Sequence, residues 1–187
     1  MQKSEQEINK ILNDNSKQIE QINKMLLNMN AVSNIRFWCS CLSNFRKSKE
    51  LNDDILKMEA FTTSIVISYG RIFGSGAESN KLKEKIIPEN LFPVHKEIID
   101  LRNGRYAHHG EHSFFEKCTD ITYVDYAFVI NPKIEVGFWF GISKKWEELF
   151  EWLDGYMYDT MHKTLLSLSD KTGVEWKFPN GPAPLYI

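Results

Sequence analysis

Apolar residues spaced alternately by four and three positions dominate two long stretches of this chain, and that spacing predicts amphipathic helix. Over residues 4–30 the series is Ile8, Leu12, Asn15, Ile19, Ile22, Leu26 and Met29. It makes a narrow stripe, interrupted once by the polar Asn15, on a helix whose other faces are mostly Gln, Asn, Lys and Glu. Such an arm either lies along the body or pairs with a second chain, and a buried Asn15 is able to set register. The aromatic stretch 31–46, "AVSNIRFWCSCLSNFR", reads as a connector or short helix capping the core. "SKELNDDILK" then opens a second long helix, with Leu51, Ile55, Met58, Thr62, Ile65, Tyr69 and Ile72 in its seam. Gly74 and Gly76 end it, just beyond Tyr69 and Arg71 in "SYGRIFG".

Shorter signals follow. "SNKLKEKII" reads as a basic turn or short helix. Pro88 and Pro93 bracket the start of the next helix, at about residues 89–93, which runs through "VHKEIIDLRNGRYAHH" until Gly110 stops it. The period then changes from helical to extended. "ITYVDYAFVI" and "KIEVGFWFGI" are rich in β-branched and aromatic residues and predict a hairpin over 121–141, joined at "NP". Adjacent apolar residues such as Phe128 and Val129 point to opposite faces, so cover on both faces is expected. A last helix over 143–169 buries Trp146, Leu149, Phe150, Leu153, Met157 and Met161, and the aromatic tail "GVEWKFPNGPAPLYI" is expected to be tied onto the body. A single domain over 1–187 is expected, with 1–30 as a helical arm and 48–110 as core helices.

Composition narrows the function classes. The chain has 187 residues, of which 42% are hydrophobic and 26% charged, the profile of a soluble globular protein. A chain this long buries roughly 70% of its unfolded surface and needs neither disulfide nor metal to fold. No apolar run approaches membrane-span length, and "MQKSEQEINK" has no signal-peptide core, so a cytoplasmic location without membrane attachment is expected. The net charge of −2 means that a nucleic acid must be met by a local basic patch. Three cysteines (Cys39, Cys41 and Cys118) form no framework, and "WCSC" lacks a second ligand pair. There is no Walker-type loop, no Gly-x-Ser-x-Gly elbow and no paired Cys-x-x-Cys motif.

The basic patch is "LRNGRYAHHG", residues 101–110, which gathers Arg102, Asn103, Arg105, His108 and His109 at a helix end. Cations there favour the negative end of the helix dipole by roughly 0.3–1 kcal/mol each, which accounts for one of them without any function. Five polar residues together ask for more. "HHGEH" raises a zinc test, through His108, His109, His112 and Glu111. Gly110 breaks the helix that a His-x-x-x-His pair would need, so no metal is assigned.

"LRNGRYAHH" resembles the signature of HEPN domains: an Arg, a polar residue and a His a short fixed distance on. Arg102, Asn103 and His108 fill those places, and "SYGRIFG" ahead of it is similar to a subgroup with a Tyr-x-Arg helix end. The resemblance covers about residues 50–110. It implies a mainly α fold, an antiparallel HEPN-like helical bundle, here with an inserted β-hairpin near 121–141. It also implies a homodimer that brings two signatures together, and in many members a metal-independent endoribonuclease, acting as a toxin or in phage defence. No cofactor is implied. RNA is the expected partner, with an antitoxin or defence-system protein as a further one. The alternative is a catalytically silent dimeric module that binds nucleotide, RNA or protein through the same cleft.

The chemistry fits those residue types. Cleavage without a metal needs a base for the 2′-OH, a cation for the developing phosphorane charge and an acid for the leaving 5′-oxygen. Histidine titrates near neutrality, arginine grips phosphate with a planar fork, and Asn103 can hold either the arginine or the ribose. Arg102, Asn103 and His108 are therefore the catalytic candidates. Arg105, His109, Arg71 and Tyr69 are the substrate-binding candidates, with a salt bridge as the other account of Arg105. On a straight helix, His108 lies roughly 120° from Arg102, whereas His109 is nearly eclipsed with it, as is His95 one stripe-length earlier. Straight-helix geometry favours His109 as the base, and the resemblance favours His108. His95 and His162 are read as structural, and His112 as a loop residue near the site.

Overall fold

The computed structural model describes residues 3–45, 51–74, 81–107, 115–136 and 141–178. The fold is mainly α with a small antiparallel hairpin. In chain order the elements are α1 (Glu5–Asp14), α2 (Ser16–Ser43), α3 (Leu51–Phe73), a 3-10 turn (Glu84–Ile86), α4 (Phe92–Leu101), a π-helical segment (Arg102–Ala107), β1 (Phe115–Val124), β2 (Ala127–Val136) and α5 (Lys144–Thr172). They divide into two compact units, 1–30 with 152–187, and 31–151. Among the described residues no helix is long and apolar enough to cross a membrane.

In the first unit, α1 starts at a capping box. The Ser4 hydroxyl accepts from the Glu7 amide at 3.3 Å, and the Glu7 carboxylate accepts from the Ser4 amide at 2.8 Å. The helix expected to run unbroken over 4–30 is interrupted at Asn15 (φ −117°, ψ 15°), between α1 and α2. Asn15 is buried, and its Nδ2 donates to the Ile11 carbonyl at 2.8 Å. A short amide side chain that bonds the backbone one turn back competes with the helical ladder, so the polar residue of the seam breaks the helix. No residue of α1 is buried; Ile8 and Leu12 stay exposed. Further on, Ile22 packs with Leu165 and Leu168, and Trp176 and Phe178 close over them. Gly173, at φ 63°, ends α5 and donates to the Ser169 carbonyl at 2.9 Å. Trp176 is then tied down twice, its amide to Ser169 Oγ and its Nε1 to Thr172 Oγ1, both at 2.9 Å.

The second unit holds the larger core. Residues 31–43, expected as a connector or a short helix, are helical and continue α2 without a break. No Gly or Pro lies between Ser16 and Ser43, so nothing in that stretch stops a helix. The α3 seam is buried where expected: Thr62, Ile65, Tyr69 and Ile72 are fully enclosed. Val94, Ile98 and Leu101 of α4 and Trp146, Leu149 and Phe150 of α5 are buried as well, and the rings of Tyr69 and Phe150 lie 5.7 Å apart. Cys39 and Cys41 are free thiols, and burial pushes Cys39 up to about 12, an inert state at neutral pH.

The hairpin departs from expectation in place and in cover. It spans 115–136, not 121–141, and turns at Asp125–Tyr126, with Tyr123 opposite Phe128. Both turn residues have positive φ (50° and 64°), as a two-residue hairpin turn requires if it is to match strand twist. Asn131-Pro132, expected to be the turn, lies inside β2 opposite Asp120 and Thr119. In a two-stranded ribbon every strand is an edge, so the proline's missing donor is tolerated. Neither face of the tip is covered: Ile121, Tyr123, Phe128 and Val129 are all exposed. The expected strand residues Phe138, Trp139 and Phe140 lie outside the described residues.

One polar pair sits in the second core. The Tyr69 hydroxyl lies 2.7 Å from His95 Nδ1, and His95 Nε2 lies 3.9 Å from Glu84 Oε1. Burial pushes the Tyr69 phenol up, so it keeps its proton, and the direction of its hydrogen bond with Nδ1 follows the imidazole tautomer. His95, buried and edge-on to Phe73, has its pKa lowered by burial, and Glu84 opposes that only in part. The folded protein therefore holds His95 neutral, whereas the unfolded chain protonates it below about pH 6.5. The stability contributed by this depressed pKa is present above that value and is lost as pH falls through the folded pKa. We expect the stability of the wild type to drop between pH 7 and 5 more steeply than that of His95→Gln, measured by urea denaturation. Parallel pH profiles would show that His95 does not carry the effect.

Candidate functional site

The candidate site is built where α4 changes its winding. Leu101 is buried against α3, and from Arg102 to Ala107 the backbone adopts the wider π pattern, with i→i+5 hydrogen bonding. The sequence there, "RNGRYA", places Gly104 in mid-segment, where helix propensity is poor. The segment packs on both α3 and α4. Because a π turn holds more residues than an α turn, the straight-helix rotation that favoured His109 does not apply over this stretch. His108, His109 and His112, with Glu111, lie outside the described residues.

One stripe of α3 receives the segment. Glu59, Thr63, Val66 and Gly70 fall at steps of four, three and four on a single helical face. At one end of the stripe, the guanidinium of Arg105 forms a salt bridge with the Glu59 carboxylate. The Arg105 side chain is 1% exposed and that of Glu59 21%, and the guanidinium also lies 5.5 Å from the ring centroid of Tyr106. At the other end, Arg102 crosses Gly70. A Cβ added at Gly70 would come within 2.8 Å of Arg102 Cγ and 3.3 Å of its Cδ and Nε. The glycine is thus a notch for the aliphatic stem. Beyond the stem, Arg102 Nη1 donates to Asn103 Oδ1 at 2.8 Å, and Asn103 is exposed.

The two arginines of the motif therefore have different surroundings. Arg105 is an internal ion-pair partner, the salt-bridge account of its two expected roles. Arg102 is half-buried and, among the described residues, makes no ion pair. Its stem is gripped, and one donor of its fork is oriented by a neighbouring amide. Tyr69, expected to touch substrate, sits in the core on His95. Arg71 is exposed in the last turn of α3, where a cation favours the helix dipole. Residues 69–71 thus bear on the site chiefly through Gly70 between them. Glu59 and Gly70 were missed by the sequence reading. A glycine inside an apolar helix costs roughly 1 kcal/mol relative to alanine, which is itself a signal that something packs closely against it.

No family model, no curated protein and no solved structure matches this chain.

The notch predicts a coupling between Gly70 and Arg102. Gly70→Ala alone should destabilise by about 1–2 kcal/mol, the usual range for overpacking, because the Arg102 stem must leave its groove. In an Arg102→Ala background the same change should become neutral or stabilising by about 0.5–1 kcal/mol, the helix-propensity gain. Denaturation of the four proteins of this cycle measures the coupling; additive effects would mean that Arg102 does not occupy the notch.

Proposed function

We propose that the chain is a metal-independent endoribonuclease of the HEPN type that works as a homodimer in the cytoplasm, as a toxin or phage-defence effector. The observation that carries the reading is the contrast within one short motif. Arg105 is neutralised internally by Glu59, whereas Arg102, held in place by Gly70 and Asn103, keeps its charge for a ligand. The resemblance of "LRNGRYAHH" to the HEPN signature gives that ligand a chemical class, an RNA phosphate.

In this mechanism Arg102 binds the scissile phosphate and stabilises the charge that grows on its oxygens during attack. Asn103 fixes the fork. His108 takes the proton from the ribose 2′-OH, which attacks the adjacent phosphorus, and the 5′-oxygen leaves with a proton from a second histidine. One chain brings one such histidine to its motif; a twofold supplies the other without added sequence. The products are a 2′,3′-cyclic phosphate and a free 5′-hydroxyl. An antitoxin or defence-system protein is the expected regulatory partner. A silent module binding RNA, nucleotide or protein through the same cleft is the competing reading, and it differs in leaving RNA uncut.

The test is incubation of the purified protein with RNA in EDTA, followed by end-group analysis. We expect cleavage with cyclic phosphate ends, lost by about 100-fold or more in His108→Ala, the usual range for removing a general acid–base group. Activity that appears only with added magnesium would overturn the metal-free mechanism. Loss in His109→Ala with His108→Ala active would move the base to His109. Binding without cleavage at any pH would select the silent module.

A further inference from the structure

Gly155 stands inside α5 with open space beside it. At Gly70 the absent side chain makes room for the Arg102 stem, but a Cβ added at Gly155 would meet no atom of the described residues within 4 Å. A glycine weakens a helix and is used where something approaches the backbone closely. Beside Gly155 lies a groove of about 340 Å³, lined by Trp152, Gly155, Tyr156, Asp159, Thr160 and Lys163. Steps of three and four place all six on one face of α5, within a single compact unit.

Three kinds of contact follow one another along the helix. The rings of Trp152 and Tyr156 are nearly parallel, 22° apart with centroids at 5.4 Å, and both are half-buried. They form a stack that another flat ring extends. The Asp159 carboxylate comes next and the Lys163 ammonium one turn further on. That order of acid and base at i,i+4 is the one that pairs best, and Glu20 and Lys24 close at 2.8 Å at the same spacing. Asp159 and Lys163 are both exposed and, among the described residues, form no ion pair. We propose that this groove binds one ribonucleotide. The base stacks on Trp152 and Tyr156, the ribose hydroxyls donate to Asp159, and the phosphate lies on Lys163.

The order of the contacts selects this class. A bare phosphate would face Asp159 as well as Lys163, an alkylammonium would face Lys163, and an apolar ring would use neither charge. An aromatic amino acid has a ring, a cation and an anion, but its ammonium and carboxylate hang from a single carbon. Asp159 and Lys163 leave the helix about 6 Å apart along its axis, the rise of four residues. A sugar ring with its 5′ carbon bridges that span. A carboxylate beside the stacking pair also favours ribose over deoxyribose, because the 2′-OH supplies a donor. The groove lies near the small end of the roughly 300–1,000 Å³ usual for ligand sites, which suits one nucleotide unit, either free or at the end of an RNA strand. None of these residues belongs to the Arg102 motif, and the site stands whether or not the chain cuts RNA.

Isothermal titration calorimetry of the full chain with adenosine 5′-monophosphate tests the proposal, with far-UV circular dichroism to confirm that each variant is folded. We expect a Kd of about 1 mM or tighter for the wild type. Trp152→Ala should weaken binding by about tenfold or more, the usual effect of losing a stacked ring. Gly155→Leu fills the groove without removing a contact and raises helix propensity, so it should abolish binding in a folded protein. Lys163→Gln should weaken the monophosphate about fivefold and leave adenosine binding unchanged. Asp159→Asn should weaken the monophosphate about fivefold but not its 2′,3′-dideoxy analogue. No binding by the wild type, wild-type binding in Gly155→Leu, or tighter binding of free tryptophan than of the monophosphate would overturn the proposal. A 5′-phosphorylated RNA trinucleotide, titrated into Arg102→Ala to prevent cutting, separates the two sources. Tighter binding than the monophosphate assigns the groove to a strand end, and equal or weaker binding assigns it to the free nucleotide. A wild type that cuts RNA but fails to bind the monophosphate rejects the groove and retains the nuclease.

Discussion

The salt bridge between Glu59 and Arg105 is the contact on which the candidate site depends. It fastens the π segment to α3 at a position where both side chains are largely out of water. Two charges in such a place are costly to desolvate, and their attraction offsets that cost only while both are present. With Arg105 held at one end of the stripe and Gly70 open at the other, Arg102 has one groove to lie in. Orientation of the exposed fork thus follows from a buried ion pair three residues away in sequence. A motif with two arginines uses one as an anchor and leaves the other its charge.

Long-period information was legible in the sequence. Steps of four and three marked α3 and its buried seam, and the change to a β-branched, aromatic pattern marked a hairpin. Local competition was less legible. Asn15 sat in an apolar seam and looked like a register device; its amide instead bonds the backbone at Ile11 and breaks the helix. The hairpin turn was misplaced because Asn-Pro is a strong turn signal, whereas Asp125-Tyr126 carries one only through a residue that tolerates positive φ. Cover was misread as well: neighbouring apolar residues suggested two buried faces, and the tip shows them to solvent.

At the site, the sequence marked Arg102 and Asn103 but not what holds them. Gly70 and Glu59 lie far back in the chain, and nothing in their spacing to the motif is periodic. Their role appears only when α4 and its π extension fold back along α3. The same contact distinguishes Arg105 from Arg102, which the sequence left alike. Tyr69 was read as a substrate contact through the Tyr-x-Arg helix end of the resemblance; packing turns it inward to His95, whose imidazole is held neutral by burial.

The division of labour between the two arginines is measured most directly by Arg102→Ala and Arg105→Ala in parallel, each assayed for unfolding free energy and for RNA cleavage. Arg105→Ala strands the Glu59 carboxylate and is expected to cost about 3 kcal/mol or more of stability. Arg102→Ala is expected to stay within about 1 kcal/mol of the wild type while cleavage falls by about 100-fold or more. Wild-type stability in Arg105→Ala, or wild-type cleavage in Arg102→Ala, would contradict the account.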